Sequence, residues 1–349
     1  MVQQRSTADL HGKLKTTIVD SFPLDKTQAN MKLILDDQIS LGIDYPAIPQ
    51  LEDMGSMFLE PLAKQGCGIE VKNGVASVIG DLTPPKEPIA LSDLVWAKQY
   101  VKQTEFQNKM DGLKIYVTGP FTLAYLTKIA DMPALLMPDI VERLSHIVSK
   151  IIQFYDREEV AIITVYEHIL IFAIAQFSIE QDFALNCLDI VFKGISKSIG
   201  ALHVCEDAFL AAKFLLQLDN VAYLDHDFAS SPENLKAYTK QELERYDKLI
   251  GYGCVATSID PLLLDSIRRG KVPWEKAVET EGEVKARILK AIDRYGVENI
   301  IIDPDCAFGN LKLAIPSEIA YNITFAKLKS MMDAVKTLRK EFRLEVLDS

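Results

Sequence analysis

The chain has 349 residues, of which 48% are hydrophobic and 25% charged, and its formal net charge is −11. That length and hydrophobic share suit one large α/β barrel or two ordinary domains. The negative balance, with no cluster of Lys and Arg, argues against nucleic acid or an anionic membrane as partner, because both require a positive surface; a small molecule or another protein fits better.

Residues 1–13 are polar and read as a flexible tail. Eight short β-branched runs follow, at 16–22, 42–48, 113–119, 161–167, 200–205, 221–228, 249–257 and 299–306. Between and after them, 25–41, 91–107, 138–157, 232–246, 274–295 and 317–342 carry apolar residues at helical spacing. Strands alternating with helices imply βα units and a parallel sheet. Eight such units predict a (β/α)8 TIM barrel as a single domain over 1–349, with a doubly wound open sheet as the other arrangement the alternation allows. Residues 66–86 interrupt the pattern between strands 2 and 3. Within them 68–80 alternates around Asn73-Gly74, a hairpin signal, which predicts a β-hairpin insertion. The stretch 160–177 is apolar enough to resemble a membrane span. Tyr166, Glu167 and His168 at its centre are costly in lipid, so it reads as a buried strand running into a buried helix.

The five cysteines, Cys67, Cys187, Cys205, Cys254 and Cys306, are odd in number and scattered. With no signal peptide, that pattern reads as reduced thiols in a cytoplasmic protein. A barrel places its chemistry at the carboxyl ends of strands. Ser21, Glu167, His203, Cys205, Asp227 and Cys306 all fall there. His203 and Cys205 are two apart and so share a strand face. One imidazole, two thiolates and one carboxylate make a normal zinc ligand set, His203, Cys205, Asp227 and Cys306, with a net site charge of about −1. Such an electron-rich site is poor at making hydroxide and suited to binding a substrate thiol as a reactive thiolate. Taken singly, a buried Cys is most often a small hydrophobe and Asp227 a loop cap; the set is what favours a metal.

Several segments together resemble the catalytic barrel of the cobalamin-independent methionine synthase family, in its short single-barrel form. Thr-Thr-Ile-Val-Asp-Ser-Phe-Pro at 16–23 is similar to the family's opening strand, and Thr-Gly-Pro-Phe-Thr-Leu at 118–123 to its Thr-Gly-Pro segment. His-Val-Cys at 203–205 resembles the His-x-Cys zinc motif. Asp-His-Asp-Phe-Ala-Ser at 225–230 looks like the segment whose Glu completes the metal site, and Ile-Asp-Pro-Asp-Cys-Ala-Phe-Gly at 302–309 like the one carrying the last zinc cysteine. The resemblance implies Zn²⁺ on His203, Cys205, Asp227 and Cys306, with Asp227 in place of the usual Glu and His226 as a fallback ligand. It implies a thiol pocket lined by Ser21, Gln50, Tyr166 and Glu167.

On that resemblance the expected reaction is methyl transfer to a zinc-activated thiol, homocysteine giving methionine. Tyr166 stands where the family carries an Asp that holds the amino group of homocysteine. A thiol without an amino group, such as coenzyme M, is therefore the alternative. The segment 253–258 lacks the acid that would assist a folate leaving group. This points to methylcobalamin or another methylated corrinoid, carried by a corrinoid protein, as donor. A non-catalytic binding homologue is a further reading. A metal-free decarboxylase is disfavoured, because Arg5 is the sole arginine in the first 140 residues.

Overall fold

The computed structural model describes residues 10–344, so residues 1–9 of the expected tail lie outside the described residues. Residues 10–13 do not behave as a tail. They form a turn flanked by Leu10 and Leu14, both fully buried, with the His11 Nδ1 2.8 Å from the Glu298 carbonyl oxygen. The chain gathers into two compact units. The first contains Glu52–Gln103 and Lys114–Leu224; the second contains 10–51, Thr104–Leu113 and 225–344.

In the first unit, strands β1 (Ile69–Lys72) and β2 (Val75–Val78) pair antiparallel, with Lys72 opposite Val75. Asn73 and Gly74 between them have φ of 52° and 76°, the left-handed backbone that a two-residue type I′ turn demands. Strand β2 also pairs in parallel with β4 (Thr127–Ile129), and β4 pairs antiparallel with β5 (Met132–Pro133), giving a small sheet in the order β1-β2-β4-β5. The two last strands are too short to announce themselves in a hydrophobic pattern.

Between β2 and β4 in the chain lies β3 (Lys114–Thr118). It pairs in parallel with β6 (Ile162–Glu167), which pairs in parallel with β7 (Ile199–Val204). Every residue of these three strands is buried, which is why the sequence reads there as near-continuous apolar runs rather than as alternation. Helix Pro138–Arg157 opens on a proline, tolerated at a first turn whose N–H has no helical partner, and buries Val141, Leu144, Val148, Ile151, Ile152 and Tyr155 along one face. It packs against Gln181–Phe192.

At the end of that long helix, Asp156 anchors the turn that enters β7. Its carboxylate accepts hydrogen bonds from the Ser196 N–H at 3.1 Å and hydroxyl at 2.6 Å, and from the N–H groups of Lys197 at 2.9 Å and Ser198 at 2.8 Å. Burial works to raise the Asp156 pKa, but the bonds from Ser196, Ser198 and Lys197 outweigh it and hold the carboxyl below its ordinary range.

Strand β8 (Tyr223–Asp227) begins in the first unit and ends in the second. The second unit then contributes β9 (Leu249–Gly253) and β10 (Ile300–Asp303), paired in parallel. The eight-stranded ladder expected from the sequence is not closed among the described residues. The runs at 16–22 and 42–48 enter as isolated parallel bridges, Thr16 with Ile302, Thr17 with Tyr45 and Ser21 with Gln50. The reason is local. Pro46 and Pro49 have no N–H to give a ladder, and the Asp44 carboxylate takes both the N–H and the hydroxyl of Thr16, at 2.8 and 2.7 Å. Helix Ser317–Phe342 spans the residues its periodicity predicts. The apolar stretch at 160–177 resolves into β6 and helix Leu170–Phe177, and among the described residues no helix is long and apolar enough to cross a membrane.

Replacing Asp156 by Asn removes one acceptor oxygen and turns an amide N–H₂ toward backbone donors. The expected loss is about 2–3 kcal/mol of unfolding free energy at neutral pH, read from urea midpoints. Because the folded-state pKa is depressed, this contribution is present above the carboxyl's ordinary pKa and is lost as pH falls through the folded value; the gap between wild type and Asp156→Asn should therefore narrow in acid.

Candidate metal centre

The register between β6 and β7 assembles the site. Tyr166 pairs with His203 and Glu167 with Val204. Alternate residues of a strand share a face, so His203 and Cys205 point the same way, as do Tyr166 and His168. Continuing the register by one residue sets His168 beside Cys205. The His168 Nδ1 lies 2.9 Å from the Cys205 Sγ, and the His203 Nε2 lies 3.2 Å from the same sulfur. The two imidazole centroids are 5.6 Å apart at 63°. His203 is fully buried, whereas Cys205 and His168 are half-buried. Glu206, immediately after the thiol, takes φ of 72° and turns the chain away from the strand end.

These three groups suit zinc. A tetrahedral ion with ordinary Zn–N and Zn–S lengths separates its nitrogen and sulfur ligands by about 3.5 Å, a few tenths of an ångström more than the two distances seen. The donor set, borderline imidazole and soft thiolate, is that of zinc rather than of magnesium or calcium. His168 was not among the ligands expected from the sequence. Its signal was the His following a strand end, legible only once β6 and β7 are known to be neighbours in this register.

Tyr166 is buried against this group. Its ring lies 5.3 Å from that of His203 at 69°, and it stacks on Tyr116 at 5.4 Å and 14°. The Lys114 Nζ lies 5.8 Å from the same ring centroid. Glu167, expected in the thiol pocket, is fully buried and held elsewhere. Its carboxylate accepts from the N–H of Phe121 at 3.0 Å and from the N–H and hydroxyl of Thr122 at 2.9 and 2.8 Å. It thereby caps the start of helix Pro120–Leu126, whose first N–H groups lack helical partners. Burial pushes its pKa up to about 7, against the lowering effect of those hydrogen bonds.

In the second unit, Ser21 and Gln50 are bridge partners, with Phe22 donating its N–H to the Gln50 carbonyl at 3.1 Å. Gly309 leaves room for the Ser21 hydroxyl, since a Cβ there would stand 2.1 Å from its Oγ. Asp227 ends β8 and its carbonyl accepts from the Asn234 amide at 2.9 Å. Cys306 follows β10 and is half-buried. The segments carrying Asp227 and Cys306 are tied by Asp305, whose carboxylate accepts the N–H groups of Phe228, Ala229 and Ser230 at 2.9, 2.7 and 2.6 Å. Burial raises the Asp305 pKa to about 6 despite those bonds. His226 is occupied by a 2.8 Å hydrogen bond with the Tyr238 hydroxyl, on which its ring also stacks, so it serves the core and not a metal.

Comparison with known proteins fixes the family. A methionine synthase of Methanothermobacter marburgensis is 30% identical over 309 residues, which make up 85% of this chain and 85% of that protein. The chain belongs to the methionine synthase family. A methionine synthase of Methanocaldococcus jannaschii is 28% identical over 351 residues, covering 93% of this chain and 99% of its own length. Among solved structures, a B12-independent methionine synthase from Shewanella sp. W3-18-1 in complex with selenomethionine shares the fold, with a TM-score of 0.70 at 17% identity over 96% of this chain and all of that one. No family model matches the chain.

In this methionine synthase family member, the Thr-Gly-Pro segment has a packing role that its sequence does not reveal. A Cβ on Gly119 would stand 2.3 Å from the Glu167 Oε1, so only glycine lets the carboxylate reach the helix start. Gly119→Ala is expected to displace it and cost about 2–4 kcal/mol in a urea titration. A midpoint equal to wild type would refute the close approach.

Proposed function

We propose that this chain is a zinc-dependent methyltransferase that moves a methyl group onto a thiol, with homocysteine as substrate and methionine as product. One observation carries the reading: the Cys205 thiol lies between the His168 and His203 imidazoles, in a chain 30% identical to a curated methionine synthase. His203 and Cys205 would hold the ion, with Cys306 a further ligand that the family resemblance implies. A zinc ion held by these residues would supply the positive charge that lowers the pKa of a substrate thiol and favours its nucleophilic form. The Tyr166 ring covers one side of His203, keeps water from it and fixes the imidazole plane. Ser21 and Gln50 supply adjacent polar groups for the substrate's carboxylate end. Glu167 acts from behind, fixing the strand end from which Tyr166 and His168 project. We read the eight parallel segments as one closed (β/α)8 barrel with the 69–78 hairpin as an insertion, a reading supported by the fold shared with the Shewanella enzyme.

The donor we propose is a methylated corrinoid, on the ground that 253–258 offers no acid for a folate leaving group. The Shewanella structure is described as that of a B12-independent enzyme, so methyl-folate enters the test as an equal arm. A specific observation favours a second reading of the acceptor. The Tyr166 ring, at the family's amine-binding position, already meets the Lys114 ammonium, which disfavours a second cation there and suits a thiol lacking an amino group.

Metal analysis is expected to find about one zinc per chain. Purified protein should transfer methyl from methylcobalamin or methyl-tetrahydrofolate to homocysteine or coenzyme M, and Cys205→Ser should lower both zinc content and rate by at least about 100-fold. A zinc-free protein with full activity would sink the proposal, and zinc without turnover of any thiol would mark a binding protein instead.

A further inference from the structure

We infer that His168 is itself a zinc ligand, taking the place that family resemblance gives to the carboxylate of Asp227. The inference rests on the zinc reading above and concerns which side chain completes the site.

Four observations support it. The parallel register of β6 and β7, continued by one residue, puts His168 opposite Cys205. Its Nδ1 stands 2.9 Å from the sulfur, nearer than the Nε2 of His203 at 3.2 Å. Its ring makes edge contacts with two neighbouring rings, 5.9 Å from Tyr166 at 64° and 5.6 Å from His203 at 63°, which restrict its orientation before any ion arrives. The residue before it is anchored, since the Glu167 carboxylate is bound to the start of helix Pro120–Leu126. Aspartate at 227 is one methylene shorter than the glutamate of the family pattern, which favours another side chain in that place.

The exchange has a chemical consequence. A neutral imidazole in place of a carboxylate would leave the net charge of the site one unit more positive. Such a centre pulls harder on a substrate thiol and holds its thiolate more tightly.

Zn²⁺ and Co²⁺ binding to the full chain tests the inference. Zinc affinity is read by competition with a chromophoric chelator, and cobalt coordination from its visible and near-ultraviolet spectrum. His168→Ala is expected to weaken zinc by more than about 100-fold, because loss of a ligand exceeds the loss of an outer hydrogen bond, while Asp227→Asn leaves affinity unchanged. His168→Cys should restore tight binding and strengthen the sulfur-to-cobalt charge-transfer band, a result that a merely structural His168 could not produce. If wild type binds zinc, His168→Ala keeps its affinity and His168→Cys adds no band, His168 is not a ligand and the zinc reading stands without it. If wild type binds no zinc, both fall together.

Discussion

Parallel pairing of Tyr166 with His203 is the constraint on which the candidate metal centre depends. A strand alternates its side chains, so one such pair determines which residues of two strands meet on each face. On one face it brings together Tyr166, His168, His203 and Cys205. On the other it turns Glu167 toward the start of a helix. A slip of β6 by one residue would turn Glu167 toward the thiol and send Tyr166 and His168 to the helix layer, leaving His203 and Cys205 without them.

Two buried carboxylates hold that register from opposite ends. Asp156 gathers the backbone of 196–198 before β7 begins, and Glu167 secures the end of β6. Their protonation differs for a physical reason. Asp156 receives four hydrogen bonds, which overcome its desolvation and keep it ionised; Glu167 receives three in a fully buried setting, and desolvation prevails. Asp305 repeats the second case in the other unit, binding three successive N–H groups while burial raises its pKa. In each, an acidic side chain does the work of a turn.

The chemistry proposed for the site follows from what surrounds the sulfur. Two imidazoles and a tyrosine face supply polarisable neighbours, and the Lys114 Nζ lies 5.8 Å from the centroid of the Tyr166 ring. Such a setting favours a soft metal and an anionic sulfur ligand over a cationic amine.

Much of this was legible in the sequence. Continuous apolar runs locate β3, β6, β7 and β10 because strands covered on both faces need apolar residues throughout, and the 317–342 periodicity locates its helix because one stripe faces the core. The His-x-Cys spacing was sufficient to put both groups on one strand face. That the ladder among the described residues stays open at 16–22 and 42–48 was not legible, since Pro46, Pro49 and the Asp44 side chain take over local hydrogen bonding that a hydrophobic pattern cannot register. Nor was the place of His168 or the diversion of Glu167. Adjacent in sequence, they go to opposite faces, and their partners lie 37 and 45–46 residues away. Sequence spacing settles which residues share a strand face; only the pairing of one strand with the next decides what that face meets.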